Sequence, residues 1–127
     1  MYSSNMAKKE FSVLNLLDLE LEGHNSLHLR CLSGRRGLVR TIQVPDLNRP
    51  GLALSGFFDS FAHERVQVFG LGEVSYLRKL EKEKKDVDLR TFFSQEIPCC
   101  VFTHDLEPTE QFAKISEEVG CPLLQTS

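Results

Sequence analysis

An amide and a guanidinium stand just before a Pro-Gly pair that is expected to bend the chain sharply. Asn48 and Arg49 directly precede Pro50 and Gly51. Proline fixes its own φ and favours an extended conformation for the residue before it, and glycine supplies the positive φ that a type II turn needs. Arg49 is therefore predicted to project from a rigid turn, where its guanidinium could bind a phosphate or a carboxylate through two parallel hydrogen bonds.

A candidate binding site follows from this bend and from the basic segment after it. It comprises Asn48, Arg49, Gly51, Arg65 and Gln67. The ligand would be a small phosphorylated or acidic molecule, or a protein partner. A neighbouring loop would add positive charge if it reached the bend, since it carries Arg35, Arg36 and Arg40. An ordinary turn explains the same residues, with the arginines at 49 and 65 in ion pairs with Asp46, Asp59 or Glu64.

We predict neither a catalytic residue nor a metal site in this sequence. The four histidines stand in separate segments, and none lies at a metal-ligand spacing from cysteine or carboxylates. The phosphate-binding motif G-x-x-x-x-G-K-[ST] does not occur, and the nearest glycine-rich run, at residues 33–37, is too short and lacks the lysine. An enzyme acting through Asn48, Arg49 and Arg65 would have no nucleophile and no base.

Charge and cysteine usage limit the function classes further. The net charge of −3 gives no basic face for nucleic acid, and no apolar run approaches the ~20 residues that span a bilayer. Cys99 and Cys100 are adjacent, so on a strand they would point to opposite faces and pair poorly with each other. We expect all four cysteines to be small buried apolar residues with reduced thiols, in a soluble cytoplasmic protein without membrane contact.

The second half of the chain has the clearer pattern of elements. The pattern predicts a strand at residues 66–69, then a helix that begins at Glu73 and an amphipathic turn at residues 89–93. After these it predicts an apolar strand at residues 98–102, a helix that ends at Gly120 and a last strand at residues 121–124. This alternation predicts parallel pairing, and hence an α/β fold with a mixed, largely parallel sheet flanked by helices. The charged run at residues 81–88 is predicted to be a solvated helix surface or a short link.

The first half predicts short strands joined by tight turns. Strands are expected near residues 11–13, followed by one or two helical turns, and at residues 27–31 and 41–44. Residues 52–54 are expected to form a strand or an entry segment, with a loop at residues 34–37 and a helical turn at residues 57–62. Residues 1–10 are polar and predicted to be frayed. Residues 11–127 then form a single domain.

Two motifs at a fixed spacing resemble a known family. The run I-x-x-P-x-L-N-R-P-G-L-x-L-x-G-F-F begins at Ile42, and R-V-Q-V-F-G begins at Arg65. Together with I-P-C-C from Ile97 and G-C-P-L-L from Gly120, they are similar to the N-terminal domain of the bacterial HPr kinase/phosphorylase family. The resemblance covers the chain from about Phe11 onward. It also implies a fold similar to the N-terminal domains of the Mur peptidoglycan ligases.

The resemblance implies a regulatory or assembly domain of a bifunctional serine kinase/phosphorylase in the control of carbon metabolism. In that family the full enzyme uses ATP or pyrophosphate with Mg²⁺ to phosphorylate the phosphocarrier HPr and also runs the reverse reaction. Its catalysis belongs to a C-terminal P-loop kinase domain, absent from this sequence, and the parent enzyme is expected to be a homohexamer. This chain alone is expected to need no cofactor and to be inactive. The alternative is a stand-alone small-ligand-binding or interaction module of the same fold.

Overall fold

A five-stranded, mostly parallel sheet organises the domain. The structure, a computed structural model, describes residues 10–21, 28–83 and 89–127. The strands are β1 (Arg30–Ser33), β2 (Leu47–Asn48), β3 (Val66–Phe69), β4 (Cys100–Phe102) and β5 (Leu123–Gln125). Their order in the sheet is β1-β5-β4-β3-β2, with β1 antiparallel to β5 and the other neighbours parallel. The predicted α/β class with a mixed, largely parallel sheet is confirmed.

Helices flank the sheet. They are α1 (Val13–Leu21), α2 (Gly51–Leu54), α3 (Leu71–Lys82), α4 (Leu89–Phe93) and α5 (Glu110–Val119), with a 3₁₀ helix at Arg35–Val39. The strands β2 to β5 advance across the sheet in one direction. Because crossovers between parallel strands are right-handed, such a progression places all of the connecting helices on one face. Buried residues of α2, α3, α4 and α5 indeed belong to one apolar cluster.

Phenylalanine rings fill the core under these helices. Phe69, Phe92, Phe102 and Phe112 are fully buried. The rings of Phe69 and Phe102 stack with centroids 4.6 Å apart, and Phe112 meets Phe69 edge-on at 5.2 Å. Helix α5 presents Phe112 between a Thr109 cap and a left-handed Gly120, as the sequence predicts for its end. The rings therefore tie three elements of the second half into one packed layer.

The opposite face of the sheet is partly covered by α1 and the 3₁₀ helix. A smaller cluster there joins Val13, Val66, Cys99 and Leu124, with Cys31 partly buried at its side. Cys99 lies in this cluster and Cys100 in the phenylalanine cluster, which confirms that the adjacent thiols point to opposite faces. Burial raises the pKa of both thiols. Three of the four cysteines are buried, and Cys31 is half-buried.

The second half matches the sequence prediction, and the first half departs from it. The expected strand at residues 41–44 is wrong: only Thr41 pairs, in an isolated bridge with Ser12, and the edge strand β2 comes later. Pro45 interrupts that segment because proline cannot donate to a ladder. The run at residues 52–54 is helical, the run at residues 57–62 forms turns and not a helix, and the loop after Gly34 is a 3₁₀ helix.

Some predictions fall beyond the described part of the chain. They concern residues 1–9, residue 27 and residues 84–88. Within the described ranges, none of the helices combines the length and apolar character that a membrane crossing requires.

Candidate functional site

The predicted site residues lie at one edge of the sheet, where β2 ends and β3 runs beside it. Asn48 is the last residue of β2 and pairs with Gln67 of β3. Arg49 and Gly51 follow directly, at the carboxyl end of β2. In open α/β sheets ligands bind outside the carboxyl ends of strands. The structure thus places Asn48, Arg49 and Gly51 at the carboxyl end of β2. Gln67 lies beside Asn48, and Arg65 directly precedes β3.

The side-chain amides of Asn48 and Gln67 form hydrogen bonds within the domain. The Gln67 side chain is fully buried, and its Nε2 donates to the carbonyl oxygens of Ala62 (2.9 Å) and Arg65 (2.8 Å). Its Oε1 accepts a hydrogen bond from Asn48 Nδ2 at 2.7 Å. These bonds fasten the segment that enters β3 to the edge strand. Burial of a polar group is tolerated because its donors and acceptor are satisfied.

Arg49 forms an ion pair with a partner that the sequence did not suggest. Its Nε and Nη2 donate to the two carboxylate oxygens of Glu73 at 3.1 and 2.8 Å. The Glu73 side chain is 12% exposed, whereas Arg49 remains 63% exposed. Glu73 also accepts from the Gly70 amide at the start of α3 (2.9 Å). For Arg49, the predicted alternative partners Asp46, Asp59 or Glu64 are therefore replaced by Glu73 of α3.

The Glu73 carboxylate is held in its charged form. Burial alone would raise its pKa, but the hydrogen bonds from Arg49 and from the Gly70 amide outweigh burial and place the pKa below its ordinary value. The negative charge also lies in the first turn of α3, where it stabilises the helix. Glu73 thus accepts a hydrogen bond from the Gly70 amide at the start of α3 and also holds the Arg49 guanidinium. The outer edge of that guanidinium remains in solvent.

Gly51 does not adopt the predicted turn. Pro50 stands at the N-cap of α2 with φ −86°, and its carbonyl accepts from the Leu54 amide at 3.0 Å. Gly51 is the first helical residue, and it is not among the glycines with positive φ. The type II turn is therefore wrong. Proline near a helix start explains the result, because its missing N–H and fixed φ suit the first turn of a helix.

The remaining arginines lie elsewhere than the sequence suggested. Arg65 points along the edge strand, with Nη1 3.4 Å from the Leu47 carbonyl oxygen. Arg36 donates to the Glu118 carbonyl, and Arg40 donates to the carbonyls of Ile97 (2.7 Å) and Val119 (3.1 Å). The loop that carries them packs against the end of α5 and adds no charge to the bend, so the suggested convergence is wrong.

An exposed surface forms around Arg49 between α2 and α3. We call it the α2–α3 surface, and it comprises Arg49, Gly51, Leu52, Leu71 and Gly72. The two leucines are 70% and 68% exposed. A Cβ at either glycine would meet no atom within 4 Å. A shallow groove of about 420 Å³ runs between the helices past both glycines. The sequence pattern predicts a strand or the entry to one at Leu52 and a structural turn at Leu71 and Gly72. It does not show the exposure of these residues, which depends on how the helices pack.

A second concave region lies on the face of the sheet that carries α1. We call it the sheet cleft; its volume is about 640 Å³. Its floor and rim include Leu47, Val66, Val68, Val101, Thr103 and Thr126. Strand alternation explains this set, since residues two apart on a strand share a face. Among the described residues, no three or more His, Cys, Asp or Glu side chains are grouped so as to hold a metal ion.

Comparison with known proteins places this α/β domain in a family. The family described as HPr Serine kinase N terminus matches residues 13–127. The HPr kinase/phosphorylase of Treponema pallidum (strain Nichols) is 44% identical over 111 residues, which are 87% of this chain and 35% of that protein. The HPr kinase/phosphorylases of Leptospira biflexa and Caldicellulosiruptor bescii are 41% and 39% identical, over 84% and 79% of this chain and 33% and 32% of theirs.

The chain therefore belongs to the HPr serine kinase N-terminal family, which confirms the resemblance. It spans about a third of the length of the curated relatives that it matches.

Proposed function

We propose that this chain is the N-terminal regulatory and assembly domain of a bifunctional HPr kinase/phosphorylase. The parent protein phosphorylates and dephosphorylates HPr in the bacterial cytoplasm, as a step in the control of carbon metabolism. The family match and the names of the relatives support this activity. The small share of each relative that the chain covers supports a separate catalytic part.

Phosphate transfer, in this proposal, belongs to the part of the parent protein that follows this domain. ATP or pyrophosphate and Mg²⁺ bind there, because this sequence contains no phosphate-binding loop. The C-terminal kinase domain is the first partner of the present domain, and HPr meets the protein through that kinase domain. The parent assembles as a homohexamer.

The α2–α3 surface is the observation that carries the assembly role. Its two leucines expose apolar area, and arginine beside apolar residues is a composition enriched in protein interfaces. A guanidinium has five N–H donors. Glu73 takes two of those of Arg49, and within the described residues the other three remain for an acidic group of a partner. The open space at Gly51 and Gly72 lets a partner approach the helix backbone closely.

The parent protein tests this role with a matched pair of variants. Leu52→Asp places a charge on the α2–α3 surface, and Val39→Asp places the same charge on a side chain that is 77% exposed in the 3₁₀ helix. We expect Leu52→Asp to shift the parent to smaller species in sedimentation velocity and to change the balance of HPr phosphorylation and dephosphorylation. Val39→Asp should change neither.

Arg49→Ala provides an independent check of the same surface. The ion pair is largely exposed on the arginine side, so its loss should cost the 127-residue chain under about 1 kcal/mol. We expect the same change to alter regulation of the parent. Normal assembly and regulation in both Leu52→Asp and Arg49→Ala would rule out the assembly role of this surface. Tight binding of a small acidic ligand by the isolated chain, abolished by Arg49→Ala, would support the stand-alone binding module instead.

A further inference from the structure

The sheet cleft exists because the helices that connect the parallel strands β2 to β5 all run on the other face of the sheet. Helices α2 to α5 all pack on the phenylalanine side, and the other side receives α1 and the 3₁₀ helix. Largely parallel sheets are almost always covered on both faces. Among the described residues, the part of this face over β2, β3 and β4 is left uncovered, with Leu16 of α1 at its border.

The lining of the cleft is a row of apolar side chains in register. Val68 of β3 lies beside Val101 of β4. On the edge side, Leu47 of β2 pairs with Val66. Leu47 is exposed, and Val68 and Val101 are only half-buried. Burying such a row stabilises a protein by roughly 25 cal/mol for each Å² removed from water. The exposed row therefore favours a covering segment with apolar side chains on one face.

We propose that the sheet cleft docks the polypeptide that follows Ser127 in the parent protein. The inference rests on the proposed function, because it takes the parent to continue beyond this domain as the relatives do. About two thirds of each relative lies outside the match, and the matched family is the N-terminal part. That remainder is therefore C-terminal to the domain and available to cover its open face.

The last strand, β5, ends beside the cleft. Thr126 follows β5 directly, and its side chain lines the rim of the cleft. Its backbone is fixed, because its amide donates to the Phe102 carbonyl (2.9 Å) and its carbonyl accepts from the Asp105 amide (2.9 Å). A segment that starts at this position needs no long connection to reach the valines. Its effective concentration at the cleft is therefore high, as for any short tether between two binding groups.

The shape of the cleft disfavours a second copy of the domain as occupant. A two-fold dimer brings the same surface of each copy together, so that surface must be self-complementary. Two concave clefts facing each other would leave the valines of both copies uncovered. A protruding segment fits a concavity, and the following polypeptide is the segment that the fold places nearest to it.

The dye 1-anilinonaphthalene-8-sulfonate, which fluoresces on exposed apolar surface, tests the proposal. We expect the 127-residue chain to give about threefold more dye fluorescence per mole than the parent protein. Val68→Glu should abolish the excess in the chain, whereas Val39→Glu, the same change outside the cleft, should leave it intact. Equal dye fluorescence of the chain and the parent would overturn the proposal.

Limited proteolysis of the parent reports on the docked segment directly. Val68→Glu should expose the segment after Ser127 and speed its cleavage about tenfold, because cleavage follows the population of the open state. Val39→Glu should not speed it. If Val68→Glu fails to fold, Val101→Thr, a nearly isosteric change on the neighbouring strand, replaces it as the test variant. An unchanged cleavage rate in a folded Val68→Glu or Val101→Thr parent overturns the proposal.

Two further outcomes separate the alternatives. Dimerisation of the 127-residue chain that Val68→Glu abolishes, with cleavage of the parent unchanged, would assign the cleft to a second copy and overturn the proposal. A parent that transfers no phosphate to HPr, but shows the expected dye and cleavage results, would contradict the proposed function and leave the docking intact.

Discussion

The turn at Gly34 and the helix start at Gly51 are both built on glycine, but the fold requires glycine only at Gly34. Gly34 has φ +73°, and a Cβ there would overlap the Cys121 carbonyl. Its amide donates to Glu117 Oε1 at 2.8 Å, so the turn is anchored to α5. Gly51 has no such contact and no positive φ. A glycine that the domain does not need structurally is a candidate contact for something outside the domain.

The largest expected effect tests the anchored turn. Gly34→Ala should destabilise the chain by about 3 kcal/mol or more, because the left-handed backbone and the backbone overlap act together. Chemical denaturation of the 127-residue chain measures the change. A loss below about 1 kcal/mol would show that the turn relaxes away from Cys121, and the contrast with Gly51 would disappear.

The next effect concerns the buried amide at the edge of the sheet. Gln67→Leu should cost about 2–3 kcal/mol, because it leaves the carbonyls of Ala62 and Arg65 and the amide of Asn48 without their partner. Thermal unfolding measures the loss. Asn48→Ala removes one of these three bonds and should cost less; an equal or larger cost would contradict the central role of Gln67.

A smaller effect appears in the pH dependence of stability. The pKa of Glu73 is lowered in the folded protein, so its contribution is present above the ordinary carboxylate pKa and is lost as pH falls through the folded pKa. From neutral pH to about pH 3, the free energy of unfolding of the wild type should fall about 1 kcal/mol more than that of Glu73→Gln. Glu118→Gln is the control, since Glu118 and its partner Arg90 are both well exposed. Equal pH dependence of wild type and Glu73→Gln would contradict the shift.

The smallest expected effect is the sharpest test of the comparison between Gly34 and Gly51. Gly51→Ala should change stability by no more than about 0.5 kcal/mol, since the added Cβ meets open space in a helical backbone. The same variant in the parent protein should weaken assembly or alter regulation if a partner approaches Gly51. A loss of stability like that of Gly34→Ala would show that the domain itself requires this glycine.

Much of the second half could be predicted because its signals are local. The apolar run before Gly70, the spacing of Phe112 and Ile115, and the left-handed Gly120 each depend on neighbours along the chain. The run at residues 52–54 in the first half is shorter than one helical turn. The pattern there predicts a strand or the entry to one, although three apolar residues suit a strand and a short helix equally.

The sequence placed the candidate site residues near one another, but it did not show their contacts. Asn48, Arg49 and Gln67 do lie together at the edge of the sheet. The sequence could not show that Gln67 is buried and satisfied inside the domain, because its partners are fixed only when β2 pairs with β3.

The sequence by itself determined the α/β class, the family, the elements of the second half and the place of the polar residues before Pro50. The tertiary structure alone decided that Arg49 pairs with Glu73, that Gly51 is free of constraint and that the described residues leave part of one face of the sheet uncovered. The physical reason is the range of the interactions. Periodicity and capping act within a few residues, whereas these three features depend on how separate elements pack across the sheet.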